Sequence, residues 1–265
     1  MKANILDLQG KQTVQIELPK QFSEDVRVDL IRRAFHAHAS LLFQPKGCDP
    51  RAGLKTTAEY YGRRHAWRQT INTGRSRLPR EKIPGGKSGR VLRVPHAVKG
   101  RRAHPPKPQK NIIEKINLKE RNKAIRSAIA ASISATLVTA KHDVQCAFPV
   151  IVTDDFEKLS KAKEVLKTLI ALGFSKDLQR VAKATKRTSG VKRLRGRGKR
   201  VPRSVLIVTS TACNVSKAAR NLSGVNVVSV DKLNANLLAP GGVAGRLVLW
   251  TQGAVKKLSE QALYY

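Results

Sequence analysis

Apolar positions along this chain fall into two kinds of pattern, and one long stretch has neither. "ANILDLQGKQTVQIEL" alternates on both sides of Gly10-Lys11, which predicts a strand, a turn and a second strand. Over residues 24–43 the apolar side chains recur instead at Leu30/Ile31, Ala34/Phe35 and Leu41/Leu42. That is helical spacing, with Ser23 as the expected N-cap and acids in the first turn. Asn117 and Glu120 have the spacing of a capping box, and Ile125, Ile129, Ile133 and Leu137 follow as one stripe, so a second long helix is predicted there.

The C-terminal half repeats strand then helix. "FPVIVT" (148–153), "SVLIVTS" (204–210), "VNVVSV" (225–230) and "RLVLWT" (246–251) are short continuous apolar runs, as strands covered on both faces must be. Helical stretches are expected at 156–172, 176–186, 215–222 and 252–264. The alternation predicts an α/β fold: a single three-layer domain, a mainly parallel sheet of about four strands between helices. Residues 1–43 and 111–265 would form it.

The stretch without periodicity, Gln44–Lys110, changes the picture. It leaves and returns between two helices, so it reads as a non-globular extension of the domain. Loops beyond about 12–15 residues are uncommon and usually functional. The extension holds 18 basic and 3 acidic side chains, 8 of the 12 prolines and 8 of the 18 glycines. Its arginines outnumber its lysines 11 to 7, whereas the whole chain has 52 basic residues against 18 acids and a net charge of +34. Arginine offers a planar fork of donors and stacks on bases, which a merely solubilising surface does not require. Residues 176–203 add 12 basic side chains and 1 acid, and 187–203 is expected to be a second basic loop. Charge of this size works against compactness and implies a polyanionic partner, most simply nucleic acid.

Candidate nucleic-acid contacts follow from these segments. On the way into the extension they are Arg51, Lys55, Tyr60 and Tyr61; in its middle Arg63, Arg64, His65, Trp67, Arg68, Arg75, Arg77, Arg80, Lys82, Lys87 and Arg90. On the way out they are Arg93, Lys99, Arg101, Arg102, His104 and Lys107, and the second loop offers Lys192, Arg193, Arg195, Arg197, Lys199, Arg200 and Arg203. The aromatic rings can stack on unpaired bases.

Catalytic and metal chemistry finds little footing. Asp154, Asp155, Thr209 to Thr211, Asp231 and Thr251 fall at strand ends, where ligands sit in open parallel sheets. Capping of the next helix is the preferred reading, because no nucleophile or base is spaced to complete a site. "PGGKSGR" (84–90) carries Glu81 where a phosphate-binding loop needs its first glycine, and "APGGVAGR" (239–246) reads as a turn. His36 and His38 lie two apart on a helix, while His65, His96 and His104 sit among arginines. Cys48, Cys146 and Cys213 show no zinc spacing and suit a reducing compartment. No cofactor or metal is expected. With neither a secretory leader nor a membrane span in sight, the expectation is a soluble intracellular protein without a membrane or small-molecule partner.

Three strings then carry a resemblance. "TAEYYGRRHAWRQTINTGRSRLPRE", "RVPHAVKGRRAHPPK" and "KRLRGRGKRVPRSVLIVTS" resemble the family of large-subunit ribosomal protein four in its archaeal form, with Lys99 where glycine is often expected. The resemblance covers essentially the whole chain. It implies a non-catalytic, cytoplasmic structural constituent of the large ribosomal subunit. It further implies that an extension enters ribosomal RNA and helps line the nascent-peptide exit tunnel near its constriction, close to large-subunit protein twenty-two. The tunnel-facing tip would lie within Gly62 to Arg90, touching the nascent peptide only transiently. An RNA-modifying enzyme would need a cofactor loop and an acid/base pair, and a chromatin protein would favour repetitive lysine-rich tails. Neither fits as well.

Overall fold

A computed structural model describes residues 1–60, 71–84 and 89–265 of the chain. The chain divides into two compact units, Met1–Leu42 with Ile113–Tyr265, and Phe43–Ile112.

In the first unit the N-terminal hairpin forms as its alternation requires, from β1 (Lys2–Leu6) and β2 (Gln12–Glu17). Helix α1 is Val28–Ser40, shorter than expected. Ser23 does not cap it: its hydroxyl donates to Lys20 O at 2.9 Å, closing a preceding 3-10 turn, and Arg27 stands at the N-cap. Helix α2 (Leu118–Ala131) does begin after Asn117, but the Asn117 side chain makes no cap bond and Glu120 pairs with Arg33 at 3.1 Å instead. The long isoleucine helix stops at Ser132, whose hydroxyl turns back onto Ile129 O, and α3 (Ala135–Thr139) is a separate short helix. Back-bonding of this kind competes with helix continuation.

The rest alternates strand and helix, but the helix expected over 156–172 is broken where Leu159 and Lys161 turn extended: β3 (Val150–Val152), α4 (Asp155–Lys158), α5 (Ala162–Ala171) and α6 (Ser175–Ala184). A two-stranded ribbon follows, with β4 (Lys186–Arg187), α7 (Val191–Leu194) and β5 (Lys199–Arg200). Then come β6 (Leu206–Thr209), α8 (Asn214–Ala218), β7 (Asn226–Ser229), α9 (Ala235–Leu238), β8 (Val248–Thr251) and α10 (Gln252–Glu260).

The sheet order is β2-β1-β3-β8-β6-β7. All neighbours are parallel except the β1–β2 pair at one edge. Six strands replace the expected four, because β1 pairs with β3 and brings the whole N-terminal hairpin into the sheet. Successive strand residues feed opposite faces, as the strand period demands. Leu206, Val208, Val248 and Trp250 pack with Ile31, Ile125, Ile129 and Leu258 on one face. Val150, Val152, Ile207 and Leu249 pack with Phe156, Val165, Leu169 and Val215 on the other. These are the three layers.

The run 239–246 is the turn its glycines suggested. Gly245 has φ +91°, and a Cβ there would fall 2.5 Å from Leu137 O, so only glycine fits.

Candidate nucleic-acid interface

The second basic segment is not a plain loop. Its ends form the antiparallel ribbon β4–β5, in which Lys186 lies opposite Arg200 and Arg187 opposite Lys199. Like charges facing each other across a strand pair are destabilising. Gly190 (φ +64°) and Gly196 (φ +76°) flank the helical turn α7 at the tip, where left-handed backbone favours glycine. Lys192, Arg193, Arg195, Arg197, Lys199, Arg200 and Arg203 are all exposed, and so are Lys186 and Arg187. No acid occurs between 186 and 203. Lys186 and Arg187 were not among the residues singled out from sequence. The signal was present: Thr188, Ser189 and Gly190 are turn residues directly after that pair, and Gly196 and Gly198 precede the Lys199-Arg200 pair it faces.

The ribbon is rooted in a buried polar node. Asp177, on α6, is fully buried. It accepts from Arg180 Nε at 2.9 Å and from the Ser204 hydroxyl, and lies 3.0 Å from His142 Nδ1. Arg180 also donates to Arg203 O at 3.0 Å. The node thus ties the helix before the ribbon to the strand after it. Burial pushes the Asp177 carboxyl up, but hydrogen bonds from His142, Ser204 and Arg180 outweigh it and leave its pKa below the usual 3.8. Beside it, buried Arg246 donates to Ser204 O (3.0 Å), Leu237 O (2.7 Å) and Asn226 Oδ1 (2.7 Å). Desolvation, with repulsion from Arg203, lowers its pKa to about 9, so it stays charged at neutral pH.

The unit Phe43–Ile112 is organised differently. Glu59 and Arg80 exchange backbone hydrogen bonds of 3.0 and 2.8 Å, and Glu81 is bonded to Arg90 and Gly89 in the next strand-like pass. The Arg80 guanidinium reinforces this crossing by donating to Ser76 O and Gly89 O. All three acids of the unit are paired with its own cations: Asp49 with Lys55, Glu59 with Lys82, and Glu81 with Arg93. Exposed cations remain at Arg51, Arg75, Arg77, Arg90, Lys99, Arg102 and Lys107, together with Lys55, Lys82 and Arg93; Tyr60, His96 and His104 are exposed beside them. Arg80 and Arg101 are half-buried. Lys99 has φ +58°, a left-handed backbone for which glycine would be the easier residue. Tyr61, Arg63, Arg64, His65, Trp67, Arg68 and Lys87, and with them much of the expected tip, lie outside the described residues.

The strand ends, the best alternative site, are filled by the protein's own groups. Thr251 caps α10 by accepting from Ala254 N, and Asp154 accepts from Gly253 N at 2.6 Å. Glu157 takes the Ser210 N–H and hydroxyl, both at 2.8 Å, and the Thr251 hydroxyl at 2.7 Å. Asp155 pairs with Lys158 and Asp231 with Lys257. These carboxylates brace the mouth of the sheet. Among the described residues no cluster of His, Cys, Asp or Glu could hold a metal ion, and no helix is long and apolar enough to cross a membrane. The three cysteines are free, and burial pushes the Cys146 thiol up to about 11.

Comparison with known proteins decides among these readings. The profile described as "Ribosomal protein L4/L1 family" matches residues 16–261. The chain belongs to this family. It is similar to the large ribosomal subunit protein uL4 of Methanocaldococcus jannaschii, 44% identical over 263 residues, covering 98% of this chain and 99% of that protein. The uL4 proteins of Methanococcus vannielii (42%; 98% and 100% covered) and Methanospirillum hungatei (43%; 97% and 98% covered) are similar over the same extent. Membership makes the chain a structural, non-enzymatic constituent of the large ribosomal subunit, and hence cytoplasmic. The archaeal character expected from the quoted strings is matched by these relatives.

Proposed function

We propose that this chain binds large-subunit ribosomal RNA through two segments, the extension Gln44–Lys110 and the ribbon over 186–203. On this reading the extension threads into folded RNA, and its tip within Gly62 to Arg90 helps line the nascent-peptide exit tunnel near the constriction. Large-subunit protein twenty-two and the passing nascent peptide are its neighbours there. The observation that carries the reading is the ribbon register, Lys186 against Arg200 and Arg187 against Lys199. A fold gains nothing from cations set face to face, whereas a phosphate backbone running along the ribbon neutralises both rows and releases its counterions. The extension supports it, since every acid there is already paired and exposed cations remain.

Sedimentation of the tagged chain from lysate of its own organism, through a gradient in high monovalent salt, tests the proposal. A chain threaded through folded RNA co-migrates stoichiometrically with the large subunit. Release into the free fractions, as a surface phosphate binder would show, contradicts it.

A further inference from the structure

Within the unit Phe43–Ile112, a cavity of about 420 Å³ is lined by Lys55, Thr56, Thr57, Arg93 and Arg101. Three cations and two hydroxyls meet there, and the lining contains no acid. Their states differ. Lys55 is paired with Asp49, and Arg93 with Glu81 at 3.1 Å. The Arg93 guanidinium also donates to Thr57 Oγ1 at 3.2 Å, which leaves the Thr57 proton to be given away. Thr56 is engaged on both sides: it donates to Arg93 O and accepts from Ala58 N, each at 3.1 Å. Thr56 therefore shapes the wall, while Thr57 is a donor.

Arg101 stands apart. It is half-buried, and among the described residues its buried Nε has no hydrogen-bond partner and its guanidinium no ion pair. The three acids of the unit are committed elsewhere, so no carboxylate of this unit remains to satisfy it. A buried, unanswered guanidinium donor is costly, and native proteins leave few such groups. We infer that this pocket is a phosphate site: it takes one tetrahedral oxyanion, with the Arg101 fork as its main donor and Thr57 as a neutral donor, while Lys55 and Arg93, already paired with carboxylates, shape its wall. A fork matches two oxygens of a phosphate at once, which a lysine cannot do. The inference rests on the RNA reading above in taking a backbone phosphodiester of ribosomal RNA as the source; free phosphate has the same chemistry.

The test uses the full chain. Filter binding of large-subunit ribosomal RNA from its own organism, across a salt series, compares wild type with Arg101→Lys, Arg102→Lys and Thr57→Val. All three variants conserve charge. Arg101→Lys is expected to weaken binding about threefold more than Arg102→Lys, whose guanidinium is exposed, with no change in salt slope. Thr57→Val is expected to weaken it about twofold, again at constant slope. Equal losses from the two arginine variants, with wild type binding normally, would overturn the pocket and leave the RNA reading intact. A parallel phosphorus NMR titration of the RNA-free chain uses inorganic phosphate as the probe. Saturable broadening that Arg101→Lys abolishes would support the pocket even if RNA binding failed, with free phosphate as its source. No RNA binding and no broadening would overturn both readings.

Discussion

The two units of this chain answer the same problem, how to order a backbone, by different means. In the sheet unit, apolar strands are covered on both faces, and the buried charged groups Asp177 and Arg246 are met by internal partners, while Thr153 Oγ1 and Trp250 Nε1 are buried without one among the described residues. In Phe43–Ile112, Val94 is the one fully buried hydrophobic side chain among the described residues. Fixing a residue's backbone costs roughly 1–2 kcal/mol, and a unit with so little apolar burial has little to set against it. Its polar pairs do not make up the difference, because exposed ion pairs contribute about 0–1 kcal/mol each. What the contrast teaches is a division of labour: one region is held by its apolar core, and the other, held by backbone bonds and ion pairs of its own, is on the proposed reading stabilised further by the RNA it binds.

Four experiments can break or sharpen that contrast. The largest effect is expected at Trp250, fully buried in the sheet and edge-on to Phe22 at 5.1 Å. Trp250→Ala should cost about 3–5 kcal/mol by denaturant titration. A loss below about 1 kcal/mol would mean that the sheet core is not what orders this unit. Next is Asp177→Asn, expected to cost about 3 kcal/mol, since it strips a buried charge from His142 and Arg180. The pH dependence follows from the lowered carboxyl pKa. The stabilisation is fully present above the unfolded value of 3.8 and is lost as pH falls through the lower folded value. The variant should therefore lose its deficit in acid, and a deficit that persisted unchanged there would contradict the node.

The third effect leaves stability alone. Replacing Arg193, Arg195 and Arg197 together by Gln should reduce the salt slope of ribosomal RNA binding by about 2–3, with the melting curve unmoved. An unchanged slope would remove the ribbon from the interface. The smallest effect is a predicted absence of one. Deleting residues 45–110 with a short Gly/Ser bridge should leave the unfolding midpoint of the sheet unit and its helix content essentially as they were. Collapse of the cooperative transition would refute the independence of the two units.

Legibility in the sequence tracked the kind of force involved. The four apolar runs of the C-terminal half all became strands, because they are short, rich in β-branched residues and bounded by turn residues. That the N-terminal hairpin would extend the same sheet was not legible, since β1 pairing with β3 spans well over a hundred residues and depends on tertiary fit. Helix ends were misplaced where a side chain had a local alternative: Ser23 closes its own turn and Ser132 bonds back to Ile129, both invisible to periodicity. The strand-end residues were read as caps of the next helix, and Thr251 is one, but Asp154 reaches across to Gly253 N while Asp155 and Asp231 pair with lysines. Glu157, which gathers Ser210 and Thr251, gave no pattern of its own. For the interface, composition revealed which segments carry charge. It could not reveal which cations are already neutralised, such as Lys55, Lys82 and Arg93, or which is left unanswered, as Arg101 is.

The central claim, that RNA contact is confined to two segments, is tested most directly on large subunits purified in high salt. Ultraviolet crosslinking followed by mass spectrometric mapping of RNA–peptide adducts would locate the contacts residue by residue. Adducts are expected within 44–110 and 186–203, with the mouth of the sheet around Asp154, Glu157 and Asp231 free of them. Adducts concentrated at that mouth, with the two basic segments unmarked, would contradict it.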